Sequence, residues 1–298
     1  MTIRVALITG GASGLGLAVA KALLAKTPTG EEWWLHILDI DEDRGTQVAS
    51  ELPRCTFHRA NVTQYSELAT AFQGAFNQHK RLDFVFANAG MVERSNFYAL
   101  LDAEEGQADA PPKEPVDLLP IDVDLKGVIL TTYLAQHYFR HSPHKGQGAS
   151  LVMTASCCGL YPSFYCPLYT AAKSGVVGFM RAVALHFKAS GIRVNAICPS
   201  IIRTNLVDST GWDSFPQNRF VEVDSIARVV VGLEGESQGL TDATGKHLNL
   251  EELYGTAVEI SDSGFYFRPQ HEFCDEGMRE VMAATVLENQ VGAILNGD

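Results

Sequence analysis

The sequence predicts one α/β domain, built as a doubly wound parallel sheet with helices on both faces. Short, continuously apolar runs such as residues 5–8 and 84–87 alternate with longer stretches of helical period such as 15–25 and 168–190. Strands that are apolar throughout are typical of parallel sheets buried on both faces. The strict alternation of strands with helices indicates a Rossmann-like, doubly wound order.

The individual elements follow this pattern along the chain. Apolar runs predict strands at residues 5–8, 34–38, 56–60, 84–87, 150–154, 193–197 and 255–260. Helical periodicity predicts helices at residues 15–25, 44–52, 65–78, 118–140 and 168–190.

The domain prediction assigns residues 1–265 to the catalytic domain and 266–298 to a C-terminal extension. A chain of 298 residues suits one large α/β domain. Two segments interrupt the alternation. Residues 102–120 are acidic and proline-rich, which predicts a surface insertion, and 207–223 mix aromatic with polar residues, as expected of a flap over a substrate.

Composition restricts the class of partner. Lys and Arg number 23 against 35 Asp and Glu, giving a net charge of -12 that repels nucleic acids and anionic membranes. The chain has no apolar run near the roughly 18 residues of a membrane span and no visible signal peptide. Its six cysteines lack CxxC spacing. We therefore expect a cytoplasmic protein with reduced thiols.

A glycine-rich loop joins the first predicted strand to the first predicted helix. Gly10, Gly14 and Gly16 lie in the segment TGGASGLG, where glycines permit a tight turn and close approach of the backbone to a ligand. The helix that follows offers free N–H groups and a positive dipole end. This arrangement predicts a site for the pyrophosphate of a dinucleotide.

Asp39 ends the second predicted strand, 23 residues after Gly16. A carboxylate at this place hydrogen-bonds the adenosine ribose diol and repels a 2′-phosphate, which predicts NAD as the cofactor in preference to NADP. The acidic run 39–43 is not a calcium loop, because Arg44 and Ser50 stand where such a loop needs glycine and glutamate.

Tyr169 and Lys173 are four residues apart on a predicted helix and therefore share one face. The ammonium group of Lys173 is expected to stabilise a phenolate and so to lower the pKa of Tyr169. Ser156, 13 residues upstream at the end of a strand, adds a hydroxyl that can hold a carbonyl or alcohol oxygen. Together with the glycine loop, this set is highly specific.

On these residues the chain resembles the short-chain dehydrogenase/reductase superfamily over about residues 3–262. Residues 9–16 match its TGxxxGxG loop, and 87–90 match its NNAG element with alanine for the first asparagine. Residues 61–62 read Asn-Val where the family has Asp-Val, and 199–204 match PGxxxT with serine for glycine. Ser156, Tyr169 and Lys173 match the catalytic triad.

One position departs from the family pattern. Asp124 stands where the family has a fourth catalytic residue, an asparagine whose backbone carbonyl helps to hold a water beside the lysine. A backbone group survives the change, so we expect Asp124 to serve the same site. Its carboxylate can also pair with Lys173.

Within the family, residues 167–179, 195–199 and 258–264 most resemble the NAD-dependent 15-hydroxyprostaglandin dehydrogenases and their fungal relatives. Fungal polyketide-alcohol dehydrogenases of the 5′-hydroxyaverantin dehydrogenase type belong to that group, which implies a role in secondary metabolism. The resemblance implies NAD contacts at Gly10, Ser13, Gly14, Leu15, Gly16, Asp39, Ile40, Asn61, Val62, Asn88, Ala89, Gly90, Tyr169, Lys173, Pro199, Ile202 and Thr204.

The resemblance also implies the reaction. Lys173 holds the nicotinamide ribose, Tyr169 takes or gives the proton of an alcohol, and Ser156 orients the substrate oxygen. The cofactor carries the hydride, and no metal is needed. A non-redox enzyme such as a cyclase, or a scaffold with bound NAD, is the alternative.

Aromatic side chains cluster where the substrate is expected. They either line a cleft for a bulky apolar secondary alcohol or ketone, or pack in the core or a dimer interface. The predicted helices 118–140 and 168–190 carry more apolar surface than one sheet face covers, which predicts a homodimer or homotetramer. The aromatic residues in question are Phe97, Tyr98, Tyr161, Phe164, Tyr165, Trp212, Phe215 and Phe220.

Overall fold

Strands and helices alternate through most of the chain. The structure is a computed structural model that describes residues 2–25, 31–99, 117–204, 212–235 and 238–289. Its strands are β1 (Thr2–Thr9), β2 (Glu31–Asp39), β3 (Cys55–Arg59), β4 (Phe84–Ala87), β5 (Ser150–Thr154), β6 (Arg193–Pro199), β7 (Gly239–Thr241), β8 (His247–Asn249), β9 (Ala257–Ser261) and β10 (Gly264–Arg268). Its α-helices are α1 (Gly14–Ala25), α2 (Glu42–Glu51), α3 (Tyr65–His79), α4 (Leu119–Ile121), α5 (Gly127–His141), α6 (Pro167–Ala189), α7 (Val223–Glu234) and α8 (Glu276–Ala283).

Within the described residues, eight strands form one sheet in the order β10-β9-β6-β5-β4-β1-β2-β3. The pairs from β3 through to β9 are parallel. The chain runs outward from β1 to β3 and then crosses to β4 on the other side of β1. Ligands of doubly wound sheets bind at the carboxyl ends of the strands where the order reverses in this way. The predicted fold class is confirmed.

Two apolar clusters, one on each face of the sheet, make up the core. Neighbouring residues of β1 alternate between them, so that Leu7 belongs to one cluster and Ile8 to the other, both with no exposed surface. This alternation is the ordinary period of a strand. All four residues of β4 are buried, because helices cover the central strands on both faces of the sheet.

The predicted helix 118–140 is not continuous. A short helix, α4, leads into a π-helical turn over Asp122–Lys126, and α5 begins only at Gly127. At Gly127 a Cβ atom would lie 2.8 Å from Val62 Cγ2, so glycine permits this close approach. Single π-helical turns within helices are frequent at functional sites. This turn carries Asp124 toward the carboxyl ends of the strands.

The region after residue 220 contains elements that the sequence patterns did not reveal. Helix α7 lies in a segment for which no helix was predicted, and eight of its twelve residues are buried. Strands β7 and β8 have only three residues each. Of the predicted insertion 102–120, residues 102–116 lie outside the described residues, as do 207–211 of the predicted flap.

The chain divides into two compact units, Met1–Phe267 and Arg268–Asp298. The second contains α8, whose N-terminus is capped by Asp275 through a 2.7 Å hydrogen bond from the Met278 N–H. Among the residues described, no helix combines the length and the apolar character needed to cross a bilayer.

Candidate active site

The glycine loop folds tightly against the end of β4. Gly10 has a φ of +65°, and a Cβ atom there would lie 2.9 Å from Ala89 Cα. A Cβ atom on Gly16 would collide with the Gly10 carbonyl oxygen. Gly14, with a φ of +49°, begins α1 and faces Thr204, whose Cγ2 would be 3.7 Å from a Cβ atom. These positions therefore require glycine, and they leave the start of α1 open to an anion.

Asp39 lies beside this loop at the end of β2. Its Oδ2 accepts a hydrogen bond of 3.1 Å from the Ala12 N–H, and its Oδ1 accepts one of 3.2 Å from the Asp41 N–H. The carboxylate is half-buried, whereas the following Ile40 is exposed. The structure thus brings a fixed negative charge to the glycine loop.

At the end of β3, Asn61 is held by its own turn. Its Oδ1 accepts hydrogen bonds of 3.0 Å from both the N–H and the hydroxyl of Thr63, while its N–H donates to Glu67. Val62 is buried in the core. The Asn61 oxygen is therefore already engaged within the chain.

Asn88 ties three strand ends together. The Thr9 hydroxyl accepts hydrogen bonds from the N–H groups of Asn88 and Ala89, at 2.9 and 3.1 Å. The Asn88 amide donates to the Thr9 carbonyl and accepts a 3.1 Å hydrogen bond from the Thr154 hydroxyl. These contacts fix β1, β4 and β5 at the point where the sheet order reverses. Thr9 was identified from the sequence only as the first residue of the glycine loop, and Thr154 was not identified as a site residue.

Other predicted cofactor residues take varied positions. Pro199 ends β6 and is buried, while Ser200 donates a 2.8 Å backbone hydrogen bond to Ile260. Leu15 and Ile202 pack against the same apolar cluster of the core. Ser13 lies in the glycine loop, where its carbonyl accepts the Leu17 N–H at 3.1 Å.

Lys173 lies on α6 with only 2% of its side chain exposed. Its Nζ donates a 3.0 Å hydrogen bond to the Thr154 carbonyl and lies 5.5 Å from the centre of the Tyr169 ring. The predicted proximity of the two side chains on one helix face is therefore observed. Lys173 Nζ also lies 3.9 Å from Asp124 Oδ2.

Ser156 follows β5 and caps a single 3₁₀ turn, Cys157–Gly159. Its Oγ accepts a 3.2 Å hydrogen bond from the Cys158 N–H. Gly159 lets the turn approach α6, since a Cβ atom there would lie 2.7 Å from the Lys173 carbonyl oxygen. The Ser156 hydroxyl interacts with the Tyr169 phenol and holds the pKa of that phenol down.

The pKa of Tyr169 is shifted in the direction opposite to the expectation from the sequence. Burial raises the pKa of Tyr169 above its ordinary value, and the nearby Asp124 carboxylate raises it further. These effects outweigh the contribution of Ser156. In the protein without cofactor, the phenol is therefore held in its protonated form.

Glu93 is a site residue that sequence reasoning missed. Its Oε2 accepts hydrogen bonds from the Leu168 and Tyr169 N–H groups, at 2.8 and 3.3 Å, in the first turn of α6. A carboxylate is favourable there because it satisfies free N–H groups at the positive end of the helix dipole. Glu93 belongs to no sequence motif. It precedes Leu168 by 75 residues in the chain, and only the fold brings the two residues into contact.

Two pairs of histidines lie close enough to suggest metal ligands. His137 and His141 are one turn apart on α5, with ring centres separated by 4.2 Å. His36 and His58 share a 2.9 Å contact between ring nitrogens, and burial lowers the pKa of His36 to about 3. No group of three or more potential ligands in the described ranges is arranged to hold a metal ion.

The aromatic side chains near the site are more exposed than core residues. Phe164 and Tyr165, just before α6, are 84% and 64% exposed. Tyr161 donates a 3.1 Å hydrogen bond to Glu259, with half its surface open. Trp212 contacts Phe215 and Phe220 at ring-centre distances of 6.1 and 5.7 Å, and so forms an aromatic cluster after the undescribed part of the flap.

Comparison with known proteins agrees with this geometry. The family model described as short chain dehydrogenase matches residues 4–213. The chain is 68% identical over 287 residues to the short-chain dehydrogenase/reductase prx7 of Penicillium rubens, covering 95% of this chain and all of that protein. It is 31% identical over 214 residues to human 15-hydroxyprostaglandin dehydrogenase [NAD(+)], covering 69% and 71% of the two chains.

A solved structure shows the same arrangement of elements. The crystal structure of levodione reductase superposes with a TM-score of 0.69 at 25% identity, covering 88% of this chain and 97% of that one. The resemblance inferred from the motifs is confirmed, because sequence, family model and three-dimensional match point the same way. The chain belongs to the short-chain dehydrogenase/reductase family.

Proposed function

We propose that this protein transfers a hydride between NAD(H) and a bulky apolar secondary alcohol or ketone, with Tyr169 as general acid and base. One observation carries the proposal. The Tyr169 phenol interacts with the Ser156 hydroxyl, and its ring centre lies 5.5 Å from the Lys173 ammonium. A phenol between a hydroxyl and a cation is suited to proton transfer at an oxygen atom.

The residues at the glycine loop fit a dinucleotide. Gly10, Gly14 and Gly16 form a cradle that any Cβ atom would fill or distort, and α1 begins within it. A nicotinamide cofactor bound there would supply the hydride acceptor or donor. Lys173 would bind its ribose, and Asp39 would accept hydrogen bonds from the adenosine ribose.

The Asp39 carboxylate supports NAD in preference to NADP. Both of its oxygens are held by backbone N–H groups, so the charge cannot easily turn away from an added 2′-phosphate. Like charges in a partly buried site repel strongly. The name of the human relative, which specifies NAD(+), agrees with this choice.

Each catalytic side chain has a distinct task. Ser156 orients the substrate oxygen and stabilises its developing charge. Tyr169 donates its proton to a carbonyl oxygen in reduction, or removes the hydroxyl proton in oxidation. Glu93 fixes the first turn of α6 and thereby the direction from which the Tyr169 side chain approaches.

The exposed aromatic residues support an apolar substrate. Tyr161, Phe164 and Tyr165 all lie between Ser156 and Tyr169 in sequence and are more than half exposed. Exposed aromatic groups next to a reactive centre are suited to bury a large apolar molecule.

Exposed apolar groups also lie on the long helices. Tyr133 on α5 and Leu185 on α6 are 63% and 54% exposed. They support a homodimer or homotetramer. The proposal also keeps a cytoplasmic location, with 1–265 as the catalytic domain and 266–298 as an extension. Light scattering at micromolar concentration tests the assembly, and a monomeric mass contradicts it.

The proposed activity is tested by following the reduction of NAD and of NADP with a panel of secondary alcohols, and the reverse reaction with the matching ketones. We expect turnover with bulky apolar members of the panel and a preference for NAD. Tight binding of NAD without turnover of any alcohol or ketone would favour the non-redox alternative.

A further inference from the structure

Asp124 places a carboxylate in the interior of the site. The residue has no exposed surface, and its Oδ1 accepts a 2.8 Å hydrogen bond from the Met91 N–H. Its Oδ2 is buried and has no hydrogen-bond partner among the described residues. An asparagine, the residue of the family pattern at this position, would place no charge here. The carboxylate is therefore a feature of this chain that needs a compensating charge.

Lys173 supplies that charge. Its Nζ lies 3.9 Å from Asp124 Oδ2, and both side chains are almost completely buried. Gly90 leaves room for the pair, because a Cβ atom there would lie 2.9 Å from Asp124 Oδ1 and 3.4 Å from Lys173 Nζ. The π-helical turn directs Asp124 into this space. Burial raises the pKa of Asp124 above its ordinary value, whereas the Lys173 ammonium and the Met91 N–H oppose this shift by favouring the carboxylate. Packing from three elements thus places the carboxyl and the ammonium in one buried pair.

The pair acts on Tyr169. Lys173 Nζ lies 5.5 Å from the centre of the Tyr169 ring, so its charge by itself would favour the phenolate. The Asp124 carboxylate has the opposite effect and raises the pKa of Tyr169, as burial does. Opposite charges 3.9 Å apart partly cancel at a third group, so Asp124 weakens the effect of Lys173 on the phenol.

Other groups also face Tyr169. The Cys157 and Cys158 thiols, on the turn after β5, raise its pKa, whereas the Ser156 hydroxyl lowers it. Glu93, from the loop after β4, contacts the Tyr169 backbone N–H. The substitution Asp124→Asn alters none of these groups chemically, so an effect of the Asp124 charge can be isolated.

We propose that Asp124 is a positioning residue that offsets the charge of Lys173 at Tyr169 and so favours the phenol over the phenolate. The inference rests on the proposed function, in which ketone reduction uses the phenol and alcohol oxidation uses the phenolate. The proton moves from Tyr169 Oη to the carbonyl oxygen during reduction. Asp124 therefore extends reduction to higher pH and displaces oxidation toward alkaline pH.

The test is a spectroscopic titration of tyrosinate in the protein and in Asp124→Asn. Subtracting the same titration of each protein carrying Tyr169→Phe isolates Tyr169. We expect Asp124→Asn to lower the pKa of Tyr169 by about one pH unit or more, the usual size of a nearby charge effect. The pH profile of alcohol oxidation should shift by the same amount in the same direction.

Asp122→Asn is the matched control. It removes one negative charge from the same turn, but Asp122 is half-exposed and pairs with Lys126 at 3.5 Å. It should leave the pKa of Tyr169 unchanged. If Asp124→Asn does not fold, Asp124→Ser takes its place in the same titration.

An unchanged pKa of Tyr169 in a folded Asp124 variant would overturn the inference. An equal shift in Asp122→Asn would overturn it too, because the effect would then be one of general charge. Neither result touches the proposed function, which fails separately if Tyr169→Phe keeps its turnover.

Discussion

The site has a cofactor side, with Asp39 and Asn88, and a substrate side, with Glu93 and Asp124, and the two sides differ in their hydrogen bonds. Asp39 and Asn88 use both of their side-chain polar atoms in hydrogen bonds to the chain. Glu93 and Asp124 are buried carboxylates that each keep one oxygen without a hydrogen-bond partner among the described residues.

The difference shows how the two sides work. Paired polar groups make a rigid cradle whose shape is set before the ligand arrives, which limits the ordering cost of binding. Unpaired buried oxygens are costly and are rare in folded proteins, so they need an explanation. On the substrate side they adjoin the helix that carries Tyr169 and Lys173, where charge affects proton transfer.

Tyr169→Phe should give the largest effect. It keeps the ring and removes only the hydroxyl, so turnover should fall by about 10²–10⁴-fold while NAD affinity barely changes. Steady-state kinetics and calorimetry measure the two quantities. Tyr65→Phe is the control, because that hydroxyl lies on an exposed residue of α3 to which the proposed site assigns no role. A large loss of NAD affinity in Tyr169→Phe would contradict the assignment of the Tyr169 hydroxyl to the substrate side.

Gly16→Ala should affect the cofactor side instead. The new methyl group would collide with the Gly10 carbonyl oxygen and distort the loop. Overpacking of this kind typically costs about 1–3 kcal/mol, which corresponds to a roughly 5–150-fold loss of NAD affinity. Gly178→Ala is the control, since a Cβ atom there has open space around it. Undiminished NAD affinity in Gly16→Ala would show that the cofactor binds elsewhere.

Asp39→Asn should change selectivity more than affinity. The amide can still hydrogen-bond a ribose, but it no longer repels a 2′-phosphate, so the preference for NAD over NADP should fall by about tenfold. Calorimetric titration with both cofactors measures the ratio. Asp43→Asn, an exposed change of equal charge on α2, should leave the ratio as it is. If the ratio of NAD affinity to NADP affinity were the same in the unaltered protein and both variants, Asp39 would not contact the cofactor.

Glu93→Ala should have the smallest effect of the four and should appear as lost stability. It leaves the Leu168 and Tyr169 N–H groups without their acceptor, and loss of a helix cap costs about 0.5–2 kcal/mol. Urea unfolding measures the change. Glu276→Ala, an exposed acidic residue in the first turn of α8, is the control. An unchanged free energy of unfolding would mean that Glu93 does not fix the start of α6.

Local patterns predicted the parts of the site that depend on local geometry. The glycine loop follows from strand, turn and helix in immediate succession, and the spacing of Tyr169 and Lys173 follows from the period of a helix. Glu93 and Thr154 could not be found in this way, because their roles depend on contacts between distant segments. The π-helical turn at Asp124 was missed since its residues continue an ordinary helical pattern.

The direction of the pKa shift at Tyr169 was not predicted correctly from the sequence either. The proximity of Lys173 to Tyr169 is as predicted, but burial of Tyr169 raises the pKa of its phenol, and the nearby Asp124 carboxylate raises it further. Both are properties of the packed interior.

The central claim, hydride transfer to or from a nicotinamide, is tested most directly with deuterium. Secondary alcohols that carry deuterium on the carbinol carbon are incubated with the protein and NAD, and the mass of the cofactor is measured. We predict that deuterium moves into the cofactor with a bulky apolar alcohol, and that Tyr169→Phe slows the transfer by about 10²–10⁴-fold. A cofactor that binds yet gains no deuterium from any alcohol in the panel would contradict the account.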